Sequence, residues 1–240
     1  MKKQIIALGG GGFSMEPDNL LLDEYILKQT GKRKPKVCFV GTASGDAEGY
    51  ILNFYTSFAT LNCTPTHLSL FNLPTKDLRS FILEQDVIYV GGGNTRSLLA
   101  LWREWQMDKF LRAAWKNGVV LAGISAGSIC WFEEGLSDFF PGELNGLRGL
   151  GLLKGSNCPH YDGEENRRPD FHNLILRGEL SAGYGVDDGV ALHFVGAKLV
   201  RVVSSRPNAK AYFVKKKSSA IEEKTLPTIY LASGKFKLAL

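Results

Sequence analysis

"GVVLAGISAGSICWF" (118–132) decides how the rest of the chain is read. An apolar run stops abruptly at Gly123-Ile124-Ser125-Ala126-Gly127, and a second apolar run follows. "VVLAGIS" (119–125) reads as a strand. A lone serine between two glycines at its end fits the G-x-S-x-G nucleophile elbow. There the chain turns from strand to helix so tightly that the flanking side chains must be tiny, and the serine hydroxyl is lifted above the sheet edge. Ser125 is therefore a candidate nucleophile, against the plainer reading of a structural turn. The Ala126 N–H, at the start of the following helix, is placed to stabilise an oxyanion.

Upstream, short apolar runs alternate with helical patterns. "QIIALGG" (4–10), "KVCFVGTAS" (36–44), "PTHLSLFNL" (65–73) and "DVIYVGGG" (86–93) read as the first four strands. Helices are expected over 19–31, closed by Gly31, over 49–61, over 75–85 with Thr75 as N-cap, and over 94–118 as one or two helices. This rhythm predicts an α/β fold, a doubly wound and mostly parallel sheet with helices on both faces. Several strands end in Gly, Ser, Thr or Asn, which gathers small residues on the carboxyl edge of the sheet, where ligands bind. Downstream, 189–205 and 209–231 alternate like antiparallel strands and read as an antiparallel C-terminal extension of the same domain, 1–240.

Bulk composition narrows the classes. The chain has 240 residues, 44% hydrophobic and 22% charged, which is ordinary globular composition with ample material for a core. The net charge of +5 is spread out, and its only dense basic run is Lys215-Lys216-Lys217, which reads as a solvated turn rather than a nucleic-acid footprint. Cys38, Cys63, Cys130 and Cys158 lack CxxC spacing, so buried reduced thiols are expected rather than disulfides or a zinc site. The apolar start breaks into glycines within a few residues and reads as a strand, not a signal peptide. No run approaches the about 20 apolar residues of a membrane span. The expectation is a cytoplasmic protein, monomer or homodimer, with no cofactor, no metal and no nucleic-acid or membrane partner. "LGGGGFS" does not complete G-x-G-x-x-G, since position 14 is Ser14, and no Walker lysine follows either glycine cluster.

A serine needs a base. His67 and His193 sit inside strand patterns, and His172 lies in a polar helix start. His160 sits in the polar loop "GSNCPHYDGEENRR", stiffened by Pro159 and free to reach across the strand edge, which makes it the candidate base. The acid that orients it is open among Asp138, Asp162, Asp170, Asp187 and Asp188. Asp162 is too near His160 in the chain to face the far side of its ring. Asp187-Asp188 sit in a tight turn before a strand, and Asp138 follows the nucleophile helix. The second oxyanion donor is expected from Gly92 or Gly93 in "VGGGNT" (90–95), where a side chain would block the approach.

Together, "GGGGFSMEP" (9–17), "GGGNT" (91–95), "GISAGS" (123–128) and "CPHYD" (158–162) resemble the peptidase E family of serine peptidases, which also contains the cyanophycinases. The resemblance spans residues 5 to about 195. It implies a fold like that of class I glutamine amidotransferases, with serine replacing the elbow cysteine. It also implies Ser125 as nucleophile, His160 as base, and Gly93 with Ala126 as oxyanion donors. An acid is matched loosely by Asp138 and, in a later turn, by Asp188; Asp188 is preferred because its turn should return to the sheet edge. The substrate implied is a small peptide. Peptidase E removes N-terminal aspartate from dipeptides, and a basic residue downstream of the histidine reads that carboxylate. Arg167 and Arg168 occupy that region here, although the local sequence departs from the aspartate-specific pattern.

Three rivals use the same residues differently. An α/β-hydrolase esterase would need His193 as base with Asp187 or Asp188 before it. A ligand-binding module would keep the glycine-rich edge and do no chemistry. An amidotransferase-like subunit lacks its elbow cysteine, since position 125 is serine.

Overall fold

The computed structural model describes residues 2–140 and 142–232, so both ends of the expected 1–240 domain lie outside the described residues. The chain begins with β1 (Gln4–Leu8), α1 (Gly12–Met15), α2 (Leu21–Lys28), β2 (Lys36–Val40) and a 3-10 turn (Thr42–Ser44). It continues with α3 (Glu48–Phe58), β3 (Thr64–Leu68), α4 (Leu78–Leu83), β4 (Val87–Val90), α5 (Thr95–Glu104), α6 (Met107–Lys116) and β5 (Val120–Ile124). After the single-turn helix α7 (Ala126–Ile129), strands dominate: β6 (Phe132–Phe140), β7 (Glu143–Arg148), β8 (Leu153–Cys158), then α8 (Arg167–Arg177) and β9 (Gly183–Val186). The remainder is β10 (Val190–Val195), β11 (Lys198–Ser204), β12 (Ala211–Lys217), β13 (Ala220–Thr225) and β14 (Ile229–Tyr230).

The first sheet has the order β14-β11-β10-β1-β5-β4-β2-β3. Its block β1-β5-β4-β2-β3 is parallel throughout, and β10 joins β1 antiparallel. Strands β1, β4 and β5 are buried along their whole length because helices cover both faces. On one face Ile5, Val40, Val90 and Leu121 pack with Leu98, Trp102 and Leu111 of α5 and α6. On the other, Ile6, Phe39, Tyr89 and Ala122 pack with Phe13, Tyr25, Phe54 and Phe58 of α1, α2 and α3. The period-2 alternation of strand side chains thus feeds two separate cores.

Two expectations are corrected. Asp77, not Thr75, caps α4: its Oδ1 accepts the Ser80 N–H at 2.9 Å, while the Thr75 hydroxyl accepts the Asp77 N–H one step further out. The C-terminal third is also more than an extension of the parallel sheet. Only β10, β11 and β14 extend it; β12 and β13 belong to a second sheet, ordered β13-β12-β9-β8-β6-β7. That sheet presents Phe132, Leu153, Val186 and Ala211 to the first core, and α8 covers it with Phe171, Leu174 and Ile175. Its parallel strands β8 and β9 end in the loops that carry residues 159–163 and 187–189. Both loops return to the carboxyl end of β1.

Candidate active site

Ser125 caps α7 with φ +55° and ψ −115°, a left-handed conformation that costs a non-glycine residue of order 1–3 kcal/mol. Its surroundings hold it there. The Ser125 N–H donates to the Leu8 carbonyl at 3.3 Å, and the Ser125 carbonyl accepts from Ser128 and Ile129, each at 2.9 Å. The flanking glycines have a steric reason. A Cβ on Gly123 would overlap the Gly127 carbonyl, and a Cβ on Gly127 would overlap the Val90 carbonyl. The hydroxyl of a half-buried Ser125 therefore stands at the tip of a turn that no larger flanking residue permits.

Three successive carbonyls at the end of β1 organise the site. Leu8 receives Ser125, Gly9 receives the His160 N–H at 3.3 Å, and Gly10 receives the Gly189 N–H at 3.1 Å. The His160 Nδ1–H donates to Asp188 Oδ1 at 2.7 Å. Asp188 is fixed in turn, since its N–H donates to Asp162 Oδ1 at 2.8 Å. Cβ atoms on Gly10 or Gly163 would overlap the Asp188 carboxylate, so both positions are kept empty for it. Burial works against ionisation of Asp188, but the His160 hydrogen bond and charge, with Arg206 and Arg167, outweigh it and hold the carboxyl below the usual aspartate value. Its neighbour Asp187 goes the other way. Burial pushes it up to about 6, against the Lys210 N–H that its Oδ2 accepts at 2.9 Å. The two adjacent carboxyls thus differ in role: one faces the histidine and stays ionised, the other pins a loop. Among the described residues neither His160 Nε2 nor Ser125 Oγ has a hydrogen-bond partner, so no bond joins them directly. Such bonds are commonly long before substrate closes the site.

The loop after β4 runs beside the elbow. A Cβ on Gly92 would lie 3.3 Å from Ser125 Cβ and 3.8 Å from its Oγ. The Gly91 N–H donates to Val40, the Gly92 N–H to the Tyr50 hydroxyl at 3.2 Å, and the Asn94 N–H to Ala43. Among the described residues the Gly93 N–H has no acceptor, and neither has the Ala126 N–H. Of the two glycines considered as second donor, Gly93 is the one left uncommitted. Its φ of +132° and its contact with the Ala43 carbonyl both require glycine.

The remaining candidates lie elsewhere. Asp138 is exposed on β6 and pairs with Arg167 at 3.3 Å; His160 meets Asp188 instead. Arg167 is only 2% exposed, and its guanidinium is filled by Glu164, Asp138 and the Leu136 carbonyl. Arg168 pairs with Glu223 and lies over the rings of Tyr161 and Tyr212. Both arginines expected near a substrate carboxylate thus have acidic partners within the chain, Arg167 buried and Arg168 half-exposed. His193 is buried opposite Ile6, bonded to Tyr25 and Gln4, and burial pushes it down to about 4. It is a packed core histidine, which removes the geometry an esterase would require. His172 bonds to Tyr161 and Glu223, and His67 to Tyr55. All four cysteines are free and buried, no group of acidic, histidine or cysteine side chains among the described residues is arranged to hold a metal, and no described helix is long and apolar enough to cross a membrane.

Comparison with known proteins meets this geometry. The profile of Peptidase family S51 matches residues 5–202. The chain belongs to peptidase family S51. It is 61% identical over 229 residues to YgaJ of Bacillus subtilis (strain 168), an uncharacterized peptidase, covering 95% of this chain and 99% of that protein. A crystal structure of a peptidase from an acI-B1 Actinobacterium has the same fold, with a TM-score of 0.69 at 18% identity and 94% of each chain covered. A Listeria monocytogenes EGD-e protein assigned provisionally to peptidase E aligns with a TM-score of 0.58 at 16% identity, covering 95% of this chain and all of that one.

Some residues of this S51 site escaped the sequence. Asp162, too near His160 in the chain to face the far side of its ring, holds the backbone of Asp188. Arg206, paired with Glu16 at 2.8 Å, lies against Gly189 and adds positive charge near Asp188. Tyr50 reaches the 90–95 loop from α3. No local motif marks any of the three, because each acts through a neighbour distant in sequence.

Proposed function

We propose that this S51 peptidase is a serine peptidase that hydrolyses short peptides through an acyl-enzyme at Ser125. The observation that carries the reading is the His160–Asp188 pair at 2.7 Å, with His160 and a strained Ser125 anchored on the adjacent carbonyls of Gly9 and Leu8. Asp188 fixes the tautomer in which His160 Nδ1 carries the proton, leaving Nε2 as acceptor. His160 Nε2 takes the Ser125 proton as Oγ attacks the peptide carbonyl. The oxyanion forms between the N–H groups of Gly93 and Ala126; a single such donor is worth about 2.7–4 kcal/mol. His160 then passes its proton to the leaving amine, and water repeats the sequence on the acyl-enzyme.

The substrate class is a short peptide. With Arg167 and Arg168 engaged internally, nothing built from those two side chains favours an N-terminal aspartate. The test is a dipeptide panel with and without N-terminal aspartate, assayed on wild type and Ser125→Ala. Turnover lost in the variant supports the reading; full turnover by Ser125→Ala refutes it.

A further inference from the structure

The loop that carries Gly93 is held from an unexpected side. Gly91 and Asn94 are tied to neighbouring backbone, at 3.0 and 2.8 Å, but the Gly92 N–H has only a side chain, the Tyr50 hydroxyl at 3.2 Å. That hydroxyl also shares a 2.6 Å hydrogen bond with Ser14 Oγ. Ser14 stands on α1, which is pinned in turn: the Phe13 N–H donates to the buried Asp23 Oδ2 at 2.9 Å. The Tyr50 ring cannot easily swing away. It packs on Phe39 at 5.0 Å and on Phe13 at 5.7 Å between ring centroids, and a Cβ on Gly91 would lie 2.9 Å from its edge.

From this arrangement we infer that Tyr50 is a positioning residue for catalysis. By taking the Gly92 N–H it fixes the peptide planes of 91–93 and leaves the Gly93 N–H as the donor presented to the oxyanion. Tyr50 touches no reacting atom; it acts through the loop. The inference rests on the serine-peptidase reading above. Burial raises the Tyr50 phenol above its ordinary value, so it stays a neutral hydroxyl that can accept from Gly92 while sharing its other bond with Ser14.

The prediction is specific to the transition state, because ground-state binding does not need the oxyanion donor. Tyr50→Phe removes the hydroxyl and keeps the ring packing. We expect kcat on the best-cleaved dipeptide to fall about 10- to 100-fold with KM changed less than about threefold, as for a displaced rather than deleted donor. The rate of Ser125 labelling by a fluorophosphonate, which develops charge on its P=O oxygen, should fall by a similar factor. Ser14→Ala, which removes the second anchor of the hydroxyl, should show a smaller fall of the same pattern and serves if Tyr50→Phe does not fold. Wild-type kcat and labelling rate in these variants, or an effect confined to KM, would overturn the inference. That outcome is distinct from failure of the serine reading, in which wild type is not labelled and Ser125→Ala keeps its turnover.

Discussion

Asp188→Asn tests the base most sharply. The side chain keeps its size, so the space that Gly10 and Gly163 leave for it stays filled, and the Asp188 N–H keeps its bond to Asp162. What changes is the partner at 2.7 Å from His160 Nδ1. A carboxylate accepts from Nδ1–H only. An amide can turn its NH2 toward the ring and accommodate the other tautomer, with the proton on Nε2, where it can no longer receive the serine proton. The equivalent change in a trypsin-like triad lowers kcat about 10⁴-fold, or about 5.4 kcal/mol of transition-state stabilisation. The same scale is expected here, with KM nearly unchanged, because Asp188 touches His160 and not the peptide. The assay is steady-state hydrolysis of the best dipeptide between pH 6 and 9, with thermal melting as a control for folding. Part of the loss should be recovered at high pH, where direct attack by the serine alkoxide or by hydroxide gains. A fall of less than about tenfold in a folded variant would refute the assignment of Asp188 as the orienting acid.

Three further substitutions separate structure from chemistry. Burial pushes Asp23 up to about 7, against the Phe13 N–H and the Tyr89 hydroxyl, which favour its ionised form. A folded-state value raised above 3.8 means stability is fullest below about pH 4 and falls as pH rises through 7, with a ceiling of about 4 kcal/mol. Asp23→Asn keeps an acceptor for Phe13 and removes the charge, so urea unfolding at pH 5 and pH 8 should show a smaller pH difference than wild type; a larger difference would contradict the argument. Arg167→Ala strips a buried guanidinium from two carboxylates and a carbonyl and should destabilise by about 3 kcal/mol in chemical denaturation. In neither Arg167→Ala nor Arg168→Ala should the kcat/KM ratio between Asp-X and Ala-X dipeptides change more than about threefold; a selective loss of Asp-X cleavage would restore the carboxylate-reading role.

The parallel half of the fold was legible because its signals are local. Four of the five strands are short apolar runs that stop at small residues, and Ser125 follows the fifth; β3, Thr64–Leu68, is the polar exception at the sheet edge. The second sheet was legible only as strand alternation over 209–231, not as a sheet of its own. Strands β7, β12 and β13 are half-exposed, with Lys215-Lys216-Lys217 lying inside β12, so a run read as a solvated turn is the end of a strand paired with β13, where Lys215 and Lys217 meet Glu222. In "SICWF" the apolar residues carry no period, and only the structure shows that the helix ends after one turn and that Phe132 opens a strand. The site divides the same way. Ser125 and His160 stand out by turn chemistry and loop placement, and the Asp187-Asp188 turn by its position before a strand. Which aspartate faces the ring depends on the crossing of β9 and β10 beside β1, a tertiary fact. That Arg167 is buried is likewise tertiary: α8 turns it inward onto Glu164 and Asp138.

The most direct measurement is intact-protein mass after treatment with a fluorophosphonate, followed by peptide mapping. The account predicts a single adduct on Ser125, absent in Ser125→Ala and formed much more slowly in His160→Ala and Asp188→Asn. Dipeptide hydrolysis by a protein that takes no adduct, or that is labelled at a residue other than Ser125, would contradict it.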